Sequence, residues 1–255
     1  MYELEGIAVS ADGPVRVVVL NDPDNLNAFS ERMHETFVEL WARLRADADA
    51  RAVVLTGAGK AFSAGGSFED FERRRVDLDF RARSMEQAAD IVHAMLDFPL
   101  PVVAAVNGPA VGLGCTIVQL CDIVFISDHT FLADPHVSVA LVAGDGGATG
   151  WPANASLLRV KQFLLTGDRI PAADAVSFGL ANFVSASASL LEDATAFAHR
   201  LAAQPPQALQ ETKLVLNQHL KANAERTLKR GLAAEAASHD TPEYKASAEA
   251  MRPKS

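Results

Sequence analysis

Apolar positions along the chain follow two rhythms. Short β-branched runs at residues 15–20, 52–56, 102–106 and 123–127 have the length and composition of buried strands. Between the first two runs, Met33, Phe37, Leu40, Trp41 and Leu44 recur at spacings of three and four, which places them on one face of an amphipathic helix with Ser30 as its N-cap. Strand–helix–strand alternation predicts an α/β fold with parallel pairing. Beyond residue 186 the strand rhythm stops. Residues 190–204, 206–220 and 225–239 read as three helices rich in Ala and Leu, the first two separated by Pro205-Pro206. The chain therefore divides into a core over 1–186, which carries the candidate site, and a helical region over 187–255.

Composition narrows the function classes. With 255 residues, 49% apolar and 22% charged, the chain has the makeup of a soluble globular protein. A net charge of −9 argues against a nucleic-acid partner, which favours a basic face. Cys115 and Cys121 match no metal-ligand spacing and read as buried free thiols of a reducing compartment. No uncharged apolar run reaches the roughly 18 residues of a membrane span. The N-terminal residues lack the blocks of a signal peptide, so the cytoplasm is the expected location. No metal and no redox cofactor is implied.

The chemistry concentrates in residues 101–122 and 133–147. An apolar run enters a small-residue turn (Asn107 to Gly114) and leaves into a helix-compatible segment. Such a turn frees backbone N–H groups at a helix mouth, where developing negative charge is stabilised. A second small-residue stretch, Ala64-Gly65-Gly66, follows the strand at 52–56. His136 and Asp145, nine positions apart, bring titratable groups to the next segment. The remaining histidines, His34, His93, His129, His199, His219 and His239, have no motif support and read as structural or solvated.

These motifs, together with RAVVLTGAGKAFSAGGSFEDF (51–71), NDPDNLNAF (21–29) and LLTGDRIPAADAVSFGLANFV (164–184), resemble the crotonase superfamily, the enoyl-CoA hydratase/isomerase family. The resemblance implies ββα units wound as a right-handed spiral, a helical C-terminal trimerisation region, and a homotrimer or dimer of trimers. It also implies an oxyanion hole made by the amides of Gly66 and Leu113, flanked by Ala64, Gly65 and Gly112. Hydratases of the family carry one glutamate in a GGGCEL-like pattern and another in a QPEINLG-like pattern. Those positions are Thr116 and His136 in this chain. Threonine is no general base at neutral pH, whereas histidine, with an ordinary pKa of about 6.5, is a good one. Asp145 is expected to orient and charge-stabilise the imidazole. A His/Asp pair of this kind also resembles the crotonase-fold β-diketone hydrolases of the 6-oxocamphor hydrolase type, in which Glu235 has a counterpart.

The resemblance implies a CoA thioester as substrate, held near Asn25 and Leu26, with CoA entering only as part of it. Trp151 follows the Asp145 loop closely enough to be a pocket candidate. Arg73, Arg74 and Arg75 read as a solvated helix face, with phosphate binding as the alternative. Arg252 and Lys254 are candidates for touching a neighbour's ligand. The leading expectation is an enoyl-CoA hydratase/isomerase-type enzyme, a lyase first. The alternatives are a carbon–carbon hydrolase acting on a β-diketone without CoA, and a catalytically silent acyl-CoA-binding relative.

Overall fold

The computed structural model describes residues 2–251; Arg252 and Lys254 lie outside them. Strands β1 (Tyr2–Leu4), β2 (Ile7–Asp12) and β3 (Val15–Leu20) lead into helix α1 (Glu31–Ala46). Then come β4 (Ala52–Gly57), α2 (Phe68–Val76), α3 (Leu78–Asp97), β5 (Val102–Val106), β6 (Ala110–Val111), α4 (Leu113–Leu120) and β7 (Ile123–Ser127). The chain continues through β8 (Phe131–Ala133), α5 (Gly147–Asn154), α6 (Leu157–Thr166), β9 (Ile170–Pro171), α7 (Ala172–Phe178) and β10 (Phe183–Ser185). It ends in α8 (Leu190–Ala202), α9 (Pro206–Ser238) and α10 (Pro242–Met251).

Seven strands form the main sheet in the order β1-β2-β3-β4-β5-β7-β10, antiparallel up to β3 and parallel from there on. The central strands are buried on both faces, as a parallel sheet covered by helices requires. Alternation divides them: Val53, Leu55, Val102, Ala104 and Val106 face the larger core, while Ala52, Val54, Val103 and Ala105 face α8 through Leu190, Ala194 and Ala198. All five apolar residues expected on the first helix are buried, and Ser30 Oγ accepts the Met33 N–H at 3.2 Å, a cap worth about 1 kcal/mol.

A second, smaller layer carries the site. β6 pairs with β8 and β8 with β9, and isolated bridges join Phe29 to Gly66 and Ser63 to Ala110. The segments that follow β3, β4, β5 and β7 are thus stitched together across this layer, which is the spiral ββα winding.

The C-terminal helices differ from expectation. Residues 206–220 and 225–239 are one 33-residue helix rather than two. The intervening Lys221, Ala222, Asn223 and Ala224 include neither Gly nor Pro, so nothing interrupts the backbone hydrogen bonding. α9 packs along α3 and α5. No helix among the described residues is long and apolar enough to cross a membrane.

Candidate active site

The two small-residue turns meet. Phe29 donates its N–H to the Gly65 carbonyl (2.7 Å) and accepts from the Ser67 N–H (3.1 Å), so the bridge skips the Gly66 N–H and leaves it pointing the other way. Buried Asn27 fixes this arrangement. Its Nδ2 donates to the carbonyls of Ala58 and Ala61, both at 2.9 Å, and its Oδ1 accepts the Asp22 N–H at 2.9 Å. Ser63 Oγ donates to the Asn27 carbonyl and accepts the Gly65 N–H. Leu113 opens α4, so its N–H has no partner one turn back. A Cβ on Gly65 would lie 2.6 Å from the Val111 carbonyl oxygen, and its φ of +87° also favours glycine. The absence of that carbon is what lets the two turns come this close. The Leu113 side chain finds room in the main core.

Three connected spaces surround these amides. A cavity of about 130 Å³ is lined by Ala64, Gly65, Gly66, Gly112, Leu113 and His136. Behind it lies a smaller one of about 40 Å³, reached by Asp145, Glu235, Arg74 and His34; Gly66, Phe71, Leu113 and His136 line both. Outside, Ala64 and Gly66 also border a groove of about 470 Å³ lined by Asp22, Asp24, Asn25, Leu26 and Glu69. No described lysine or arginine lines this outer groove.

His136 begins a short 3-10 turn after β8, and its ring stands between two carboxylates. Its Nδ1 bonds Asp134 Oδ1, and its Nε2 lies 3.5 Å from Asp145 Oδ2. The carboxylate that sets the ring's orientation is therefore Asp134 rather than Asp145, which sequence reasoning cast in that role. Asp134 is fully buried, and Gly147 gives it room: a Cβ there would come 2.3 Å from Asp134 Oδ2. Asp145 faces the other ring nitrogen and accepts from Thr116 Oγ1 at 3.3 Å. Thr116 lines neither cavity, so it acts on Asp145 and not on a ligand. Trp151 does not line the site either. It is fully buried in the main core because α5 turns that face of the loop inward.

α9 delivers Glu235. A Cβ on Gly144 would sit 2.3 Å from the Gly231 carbonyl and 2.9 Å from Glu235 Oε2, so the glycine lets helix and loop touch and brings the carboxyl to the cavity. The Glu235 Oε2 is buried with no hydrogen-bond partner.

Electrostatics follow from this packing. Burial opposes the charged form of His136, but Asp134, Asp145, the Nδ1 hydrogen bond and Glu235 overcome it and hold the imidazolium well above its ordinary range. Burial pushes the Asp145 carboxyl up, aided by Asp134 and opposed by His136, Thr116 and the Gly147 N–H. Burial and the Asp145 charge push Glu235 up to about 7, against His136 and Arg74. His34, buried beside the inner cavity, is held down at about 4 by desolvation and is neutral. Asp134, His136 and Asp145 offer three metal-ligand atoms within 4.8 Å of one another.

Sequence reading missed Asp134, and it placed Arg74 on a solvated helix face although the side chain is buried. The signal for Asp134 was available in Asp134-Pro135-His136: a carboxylate two residues before a histidine reaches its Nδ1 when the intervening proline turns the chain.

A profile of the enoyl-CoA hydratase/isomerase family matches residues 11–252. A putative enoyl-CoA hydratase of Thermus thermophilus is 35% identical over 211 residues, 80% of this chain and 81% of that protein. The crystal structure of an enoyl-CoA hydratase/isomerase from Mycobacterium paratuberculosis superposes with a TM-score of 0.92 at 46% identity, over 96% of this chain and 98% of that one. A β-diketone hydrolase from the cyanobacterium Anabaena, bound to (S)-3-oxocyclohexyl acetic acid, superposes with a TM-score of 0.85 at 28% identity, over 92% and 94% of the two chains. With the spiral fold and the paired turns, these likenesses place the chain in the enoyl-CoA hydratase/isomerase family, within the crotonase superfamily.

Proposed function

We propose that the protein is a hydratase/isomerase-type enzyme acting on an acyl-CoA thioester through proton transfer next to the thioester carbonyl. The observation that carries this reading is the convergence of the Gly66 and Leu113 amides with His136 on one cavity. Two amides aimed at one carbonyl oxygen stabilise the enolate that forms when the α-carbon changes its protonation. In hydration, the Glu235 carboxylate takes a proton from water, the water oxygen bonds the β-carbon, and the imidazolium of His136 gives its Nε2 proton to the α-carbon of the enolate. Glu235 then carries one proton more and His136 one fewer, and transfer between them across the cluster at Asp145 restores the starting state. Two glutamates are thereby replaced by a glutamate from a different helix and a charged histidine.

A saturated short-chain acyl-CoA is expected to raise the melting temperature, because a ligand that binds only the native state stabilises it. The second reading, a carbon–carbon hydrolase for a β-diketone, is favoured by the acidic outer groove, which offers no described cation to the CoA phosphates. A cyclic 1,3-diketone that raises the melting temperature where no acyl-CoA does would make that second reading the better one.

The Glu235 carboxyl gives the reaction a pH signature. Turnover needs it ionised, so kcat/KM is expected to rise through about pH 7, and Glu235→Gln is expected to remove that limb. Stability runs the other way. Between its ordinary value of 4.5 and about 7 the folded state keeps a proton that the unfolded chain has released. Stability therefore falls as pH rises across that window, by roughly 3 kcal/mol in total, and Glu235→Gln is expected to flatten the slope. A pH-independent kcat/KM between 5 and 8, alongside an unchanged slope of Tm against pH in the variant, would remove Glu235 from the mechanism.

A further inference from the structure

The three consecutive arginines of α2 do different things. Arg73 pairs with Glu31 at 2.9 Å and Arg75 with Glu72 at 2.5 Å. Arg74 turns inward. It is 8% exposed, its Nε is buried without a hydrogen-bond partner, and among the described residues no carboxylate lies within 4 Å of it. It lines the inner cavity with Glu235, whose Oε2 is also unpartnered. Arg74 and Glu235 thus border one small cavity without forming an ion pair. Asp145 and His136 line the same cavity, and buried Asp70, one turn back on α2, feels the Arg74 charge, but neither carboxylate forms an ion pair with the guanidinium.

A buried guanidinium whose Nε has no hydrogen-bond partner is built to take a planar anion in a two-pronged grip. We propose that Arg74 binds a carboxylate carried on the substrate's acyl group, so that the preferred thioester is the half-thioester of a short dicarboxylic acid. Chain length follows from position. The Arg74 Nη1 lies 3.5 Å from where a Cβ of Gly66 would sit, beside the amide assigned to the thioester oxygen. Anion and carbonyl are then only a few bonds apart. The proposal rests on the thioester reading of the same site.

The test compares succinyl-CoA with butyryl-CoA, which share a four-carbon chain and differ in a terminal carboxylate, by titration calorimetry on the whole protein, with Arg74→Met and Arg74→Lys alongside. The wild type is expected to bind succinyl-CoA roughly tenfold or more tighter than butyryl-CoA. Arg74→Met is expected to erase that preference while leaving butyryl-CoA affinity within about twofold, and Arg74→Lys to retain part of it. Equal wild-type affinities, parallel weakening of both thioesters in Arg74→Met, or failure of that variant to fold would each overturn the proposal, the last because it makes Arg74 structural. Should neither thioester bind, the thioester reading fails by itself. Free succinate and butyrate in a thermal-shift assay then decide Arg74: protection by succinate that Arg74→Met abolishes upholds the anion site, and its absence ends it.

Discussion

Replacing His136 with alanine is expected to cut turnover by about a thousand- to ten-thousand-fold while leaving ligand affinity nearly unchanged. The two effects separate because the amides proposed to hold the carbonyl belong to the backbone of Gly66 and Leu113 and survive the substitution. His136 is also the one titratable group among the described residues that lines both the mouth and the inner cavity, so no neighbouring acid stands in the same position. Asp145, beside Nε2, and Glu235 open only on the inner cavity. Steady-state kinetics with a competitive-binding measurement on the same variant check this. Near-wild-type turnover in His136→Ala would mean that proton delivery comes from Glu235 or a bound water, and the acid–base assignment would fall.

The second large effect is expected at Asp134. Its carboxylate holds Nδ1 and sustains the charge on the ring, so Asp134→Asn removes the charge while nearly keeping the shape. Turnover should fall roughly a hundred- to ten-thousand-fold, as when an orienting carboxylate behind a catalytic histidine is replaced by its amide. KM should change little. The upper limb of the pH–rate profile should move to lower pH, because the neutral ring becomes easier to reach once one of its two flanking carboxylates is gone. A purely structural Asp134 would lower the melting temperature without moving that limb. Asp145→Asn should cost less turnover than Asp134→Asn, since Asp145 meets Nε2 only at 3.5 Å. The reverse order would return the orienting role to Asp145.

Much of this architecture was legible in the chain. The β-branched runs identified four sheet strands almost to the residue, because strands buried on both faces leave continuous apolar segments. The α1 stripe and its Ser30 cap were equally plain. The break expected between residues 220 and 225 was not there, since loss of amphipathic rhythm is not loss of helix: α9 changes the neighbours it packs against along its length without unwinding. At the site, the small-residue turns declared themselves, because close backbone approach demands glycine. The partners of His136 were harder. Asp134 sits two residues away and reaches the Nδ1 of the ring, a consequence of the turn that Pro135 begins. Glu235 arrives from a helix ninety-nine residues further along the sequence, through the Gly144–Gly231 contact. Arg74 was hidden by its neighbours, for a run of three arginines reads as one solvated face until packing shows that the middle one points inward.

The central claim is that a thioester carbonyl sits between the Gly66 and Leu113 amides with its α-carbon facing His136. A crystal structure with a saturated short-chain acyl-CoA tests it most directly. The account predicts the carbonyl oxygen at about 2.7–3.1 Å from both amide nitrogens, with the α-carbon turned toward His136 Nε2. A thioester whose carbonyl oxygen lies away from both amides, or whose α-carbon faces away from His136, would contradict it.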